Sequence, residues 1–106
     1  MDLDGATALV TGGAAGIGAG IADRLAAEGM HVVIADLDGQ TGRETALRVD
    51  GSFVLADVAT CEGVRTAVEA ACRGPGGVGV LVNNAGGVAG PGFPAAIRPA
   101  GNSSWT

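Results

Sequence analysis

The stretch Thr11-Gly12-Gly13-Ala14-Ala15-Gly16-Ile17-Gly18 stands directly behind the apolar run Ala8-Leu9-Val10. Those residue types in that order suit the binding of a phosphate. The first turn of a helix has backbone N–H groups without partners and carries the positive end of the helix dipole, so it attracts anions. Glycines let the backbone approach a ligand and take dihedrals that a Cβ forbids. On this reading Gly12 turns the chain off the strand, Gly16 leaves room beside the phosphates, and Gly18 lets the helix pack on the strand. Together they suit a dinucleotide pyrophosphate. An ordinary strand–turn–helix with no ligand would carry the same glycines.

Asp36 follows the continuous apolar run His31-Val32-Val33-Ile34-Ala35. A carboxylate at the end of a second strand is where a dinucleotide fold accepts hydrogen bonds from the adenosine ribose hydroxyls. It would repel a 2′-phosphate, and neither Ala15 nor Leu37 beside it is basic. The expected cofactor is therefore NAD in preference to NADP. His31 has no acidic or thiol constellation around it and reads as a boundary residue. Cys61 and Cys72 lack metal or redox spacing and read as reduced thiols flanking one helix, so no metal site is expected.

The elements that must position these residues alternate regularly. A first strand over 7–10 follows an Asp4-Gly5 turn. A helix from about Ile17 to Glu28 should face the sheet with Ile17, Ile21 and Leu25, helped by Ala22 and Ala26, and end at Gly29. The second strand ends at Asp36. A weak helix over 38–49 is capped by Asp38, with Ala46, Leu47 and Val49 as its apolar side and Gly39 and Gly42 against it on propensity. A third strand over 52–56 leads into Asp57-Val58. Thr60 caps a helix whose stripe is Val64, Ala67, Val68 and Ala71, stopped by Gly74-Pro75-Gly76-Gly77. A fourth strand over 78–82 runs into Asn83-Asn84-Ala85-Gly86. With right-handed crossovers, β-α-β-α-β-α-β becomes a partial Rossmann-type, doubly wound parallel sheet of order 3-2-1-4 in a three-layer α/β/α arrangement. Every special loop then falls at a strand C-terminal end, where such sheets bind ligands.

Residues 1–86 thus read as the dinucleotide-binding portion and 87–106 as a Gly/Pro-rich loop or disordered tail. At 106 residues the chain is at most one small domain. Phe53, Phe93 and Trp105 are its only aromatic residues, so the core is aliphatic, as buried parallel strands require. A net charge of −5, with no lysine, argues against nucleic acid as a partner. No apolar run approaches the roughly 20 residues that span a bilayer, and no signal peptide is visible, so the expected location is cytoplasmic.

Together these motifs resemble the short-chain dehydrogenase/reductase family. Thr11 to Gly18 is similar to that family's Thr-Gly-x-x-x-Gly-Ile-Gly, and Asp36 to its NAD-selecting acid. Asp57-Val58 is similar to the pair at the adenine ring, and Asn83-Asn84-Ala85-Gly86 to the Asn-Asn-Ala-Gly that lines the cofactor and braces the sheet. The resemblance fades after about Gly92, though Trp105 resembles a tryptophan that opens the family's next helix. It implies an NAD(P)-binding oxidoreductase moving hydride between NAD and an alcohol or carbonyl substrate. The cofactor residues carried over are Gly12, Ala14, Ala15, Gly16, Ile17, Gly18, Asp36, Leu37, Asp57, Val58, Asn84, Ala85 and Gly86.

The family's catalytic serine and Tyr-x-x-x-Lys have no counterpart here. The sequence contains no tyrosine or lysine, and Ser103 and Ser104 come too early to match. Gly79 stands where an aspartate is usual. The expectation is a truncated, cofactor-binding part, inactive alone, with no catalytic residues of its own. A stand-alone NAD-binding module and an inactive fragment are the alternatives. A bare outer edge on the fourth strand is expected to promote self-association.

Overall fold

The computed structural model describes residues 4–84. Its strands are β1 (Thr7–Thr11), β2 (His31–Asp36), β3 (Ser52–Leu55) and β4 (Val78–Asn83), alternating with helices α1 (Gly16–Ala27), α2 (Gly39–Arg48) and α3 (Cys61–Cys72). All pairings are parallel and the sheet order is β3-β2-β1-β4, as the sequence predicts. β1 lies in the middle, with Leu9 opposite Val33 and Leu81, and Val10 opposite Ile34 and Val82.

The alternation of side chains along a strand divides the core into two layers. Leu9, Val33 and Ala35 meet Ala67 and Ala71 of α3 on one face. Val10, Val32 and Ile34 meet Ala22 of α1 and Ala46 of α2 on the other. The chain moves outward from β1 to β3 over one face and returns to β4 over the opposite face, which makes the sheet doubly wound. Ala8, Val10, Val32 and Ile34 are completely buried, as strands covered on both faces should be.

The helices meet the sheet by most of their expected residues, with Ala22, Leu25 and Ala26 of α1, Ala46 of α2, and Ala67 and Ala71 of α3 on the core, but one large residue of each expected stripe is turned outward. Ile17 is 74% exposed, and α1 buries Gly18 and Ala22 instead, with Leu25 and Ala26 half-buried. Leu47 is 82% exposed, while α2 buries Gly42, Thr45 and Ala46. Val68 is exposed, while α3 buries Gly63, Ala67 and Ala71. In the pairs Ala46–Leu47 and Ala67–Val68, about 100° apart on their helices, the smaller residue meets the core and the larger is exposed.

Helix ends match the caps. Asp38 accepts the Thr41 N–H at 3.1 Å and Thr60 accepts the Gly63 N–H at 2.9 Å. Gly29, at φ 88°, closes α1 in the left-handed region. β1 and β4 each run one residue further than expected and β3 stops one short, before Ala56. Cys61 and Cys72 stand exposed at the two ends of α3 as free thiols, and His31 Nε2 lies 3.1 Å from the Ser52 hydroxyl. The expected tail over 87–106, with Phe93, Ser103, Ser104 and Trp105, and the site residues Ala85 and Gly86, lie outside the described residues.

Candidate functional site

Parallel strands bring all their C-terminal ends to one edge of the sheet, and the glycine turn, Asp36, Asp57 and Asn84 all stand there. Gly12 leaves β1 at φ 68°, and its N–H donates to Ala35 O at 2.8 Å. Its carbonyl accepts from the Asn84 side-chain amide at 3.1 Å, while the Asn84 N–H donates to Thr11 O at 3.2 Å. Asn84 thus bridges the end of β1 and the turn beyond it. A Cβ on Gly18 would press on the Gly12 carbonyl and the Asn84 amide. The need for glycine at Gly18 therefore comes from this bridge as much as from helix-on-strand packing.

Gly16 sits at φ 63°, and a Cβ there would meet no atom within 4 Å. Glycine is required by the backbone conformation, and the space beside it is open. α1 begins without a side-chain cap on Ala15 and without an acidic residue in its first turn, whereas α2 and α3 are capped by Asp38 and Thr60. The free amides of the first turn of α1 are left to other partners.

Asp36 is half-buried and reaches back to the turn. One carboxylate oxygen accepts the Ala14 N–H at 3.1 Å and the other the Asp38 N–H at 3.0 Å. Ala15, Ile17 and Leu37 line this edge as exposed side chains. Asp57 and Val58 stand apart from that bonded group, half-buried beyond the end of β3. The Asp57 carboxylate accepts the Ala59 N–H at 2.9 Å, and its carbonyl accepts the Thr60 hydroxyl at 2.9 Å.

Two threonines join the site: Thr11, which opens the glycine motif, and Thr45, which no motif indicated. The Thr11 hydroxyl lies 3.1 Å from Asn83 Oδ1 and 3.3 Å from Val82 O, fastening β1 to β4 just below the turn. Thr45, 2% exposed in the middle of α2, donates its hydroxyl to Ala14 O at 2.6 Å. Its signal in the sequence is a lone hydroxyl within the small-residue face Gly42-x-x-Thr45-Ala46.

A family model described as short chain dehydrogenase matches residues 6–99. The chain belongs to the short chain dehydrogenase family. An uncharacterized oxidoreductase of Thermotoga maritima is 49% identical over 88 residues, covering 78% of this chain and 34% of that protein. The crystal structure of a 3-ketoacyl-(acyl-carrier-protein) reductase from Brucella melitensis complexed with NADH superposes with a TM-score of 0.70 at 38% identity, covering 74% of this chain and 34% of that one. A family member from Burkholderia phymatum in complex with NAD gives a TM-score of 0.68 at 32% identity, over 76% of this chain and 31% of that one. This chain spans about a third of the length of these family members.

Proposed function

We propose that residues 4–84 form the NAD-binding part of an oxidoreductase acting on an alcohol or carbonyl. The observation that carries this reading is the uncapped entry to α1, beside the open space at Gly16 and within one bonded group with Asp36. Free amides at a helix start fit a pyrophosphate. A carboxylate held by two backbone N–H groups keeps further lone pairs for ribose hydroxyls. Gly12, Ala14, Ala15, Gly16, Ile17 and Gly18 would hold the phosphates, Asp36 and Leu37 the adenosine ribose, and Asp57 and Val58 the adenine. Asn84 supports the turn. Family members in complex with NADH and NAD support a nicotinamide dinucleotide as the ligand. When bound, the cofactor supplies the hydride, and the protein's share is to orient it.

Preference for NAD over NADP rests on Asp36 and on the absence of a basic residue at Ala15 and Leu37. Arg43 is the first basic residue after Asp36 in the chain. Its guanidinium donates to Gly39 O at 3.1 Å and lies 5.2 Å from the centre of the Phe53 ring. That occupies one of its five N–H donors, so the discrimination proposed is the charge repulsion of Asp36 against a 2′-phosphate.

With no tyrosine or lysine among its 106 residues, this chain has no candidate for the proton transfer to substrate that the family resemblance implies. Binding without turnover is therefore the behaviour proposed for the chain by itself. Free thiols at Cys61 and Cys72 suit a cytosolic setting. No described helix is long and apolar enough to cross a membrane. The test is a calorimetric titration with NADH and, separately, NADPH. Saturable binding that favours NADH is expected, and no saturation by either overturns the reading.

A further inference from the structure

Thr45 is a β-branched, polar residue in a helix, buried to 2% exposure against the sheet. Helical threonines commonly turn the hydroxyl back onto their own helix. This one donates its single proton to Ala14 O at 2.6 Å, on a segment 31 residues earlier. Ala14 is itself buried, and its N–H is taken by Asp36 at 3.1 Å. Both peptide groups flanking Ala14 are therefore held by side chains of the β2–α2 unit, one at each end of the residue.

The Ala14–Ala15 peptide is trans, like every described peptide bond. In a trans peptide the C=O and N–H point in opposite directions. With the carbonyl drawn inward to α2, the Ala15 N–H is turned away from it, off the buried side of the turn. Ala15 is exposed, and as the residue that opens α1 it has no side chain able to cap the helix. We infer that Thr45 is a positioning residue for the cofactor's phosphate, setting through the Ala14–Ala15 peptide the direction in which the entry to α1 presents its amides. The inference rests on the dinucleotide-binding reading above.

Thr7 supplies an internal control. It is also completely buried, and its hydroxyl donates to Pro75 O at 2.6 Å. It makes the same kind of bond at the opposite, N-terminal end of β1, remote from the glycine turn. Thr7→Val and Thr45→Val each remove a hydroxyl while keeping shape; the first deprives the carbonyl of exposed Pro75 of its donor, the second that of buried Ala14.

The test titrates the full chain with NADH, as wild type, Thr45→Val, Thr45→Ser and Thr7→Val, below the melting temperature of every variant. Thr45→Val is expected to weaken binding about tenfold, the scale of a buried acceptor losing its donor. Thr45→Ser, which retains the hydroxyl, should restore affinity to within about twofold, and Thr7→Val should lower Tm without changing affinity. Should Thr45→Val not fold, Thr45→Ala removes the hydroxyl with less crowding, and the same loss is expected. Equal affinities for wild type and the hydroxyl-free Thr45 variants, or equal losses in Thr7→Val, overturn the inference while leaving the binding site intact. Failure of the wild type to saturate overturns the dinucleotide reading itself, and this inference with it.

Discussion

Each oxygen of Asp36 accepts a backbone N–H, from Ala14 and from Asp38, and each retains a second acceptor direction. The carboxylate is thus oriented before any ribose arrives. Asp36→Ala should weaken NADH binding about tenfold, as expected for a lost charged acceptor, and narrow the gap between NADH and NADPH. Paired titrations check this, and an unchanged gap would remove Asp36 from cofactor choice. Asp36→Asn sets an NH2 group against one of the two backbone donors, so it should also lower Tm. At this scale the sequence is readable where function depends on spacing along the chain, as it does for Gly12, Gly16, Gly18 and Asp36. The Asn83-Asn84-Ala85-Gly86 motif marks Asn84 as a brace, but partners that meet only in space go unmarked: Asn84 reaches Gly12 across 72 residues and Thr45 reaches Ala14 across 31.

The three helices share one packing rule. Gly18 and Ala22, Gly42 and Ala46, and Gly63, Ala67 and Ala71 recur every fourth residue and form the sheet-facing stripes. Small side chains let a helix lie close to β-branched strands, and the larger apolar residues are displaced to the flanks. The expected stripes hold at Ala22, Leu25, Ala46, Ala67 and Ala71 and fail at Ile17, Leu47 and Val68, because hydrophobicity along the sequence does not show which residue is small enough for the close approach. Helix existence, order and caps were legible, since Asp38, Thr60 and Gly29 act locally. A stability series tests which residues face the sheet. Ala71→Leu should cost about 1–3 kcal/mol or more by overpacking, whereas Leu47→Lys and Val68→Lys should stay within about 0.5 kcal/mol. Thermal melts of the three variants decide between the two faces.

Taken whole, the described sheet is covered unevenly. α3 lies over β1, β2 and β3, and β4 pairs only with β1 among the described residues. Leu81 shares the face of Leu9 yet is 61% exposed, and Val78 is 44% exposed. An apolar strand edge of this kind favours pairing with another copy. We expect sedimentation velocity to show association that rises with concentration, and Leu81→Lys to shift the chain toward monomer with little change in Tm. A single monomeric boundary at every concentration would exclude that route. The strand order 3-2-1-4, unlike this exposure, could be read from the sequence, because alternating strands and helices with right-handed crossovers leave few alternatives.

The tie between Asn84 and the Gly12 carbonyl has a consequence for how the protein comes into being. During translation the glycine turn leaves the ribosome before its anchor, since the side chain that fastens its first carbonyl is made more than seventy residues later. Until β4 has docked beside β1, the turn lacks that anchor. A nascent chain would thus gain its grip on a nucleotide in one late step, when the last described strand closes the sheet.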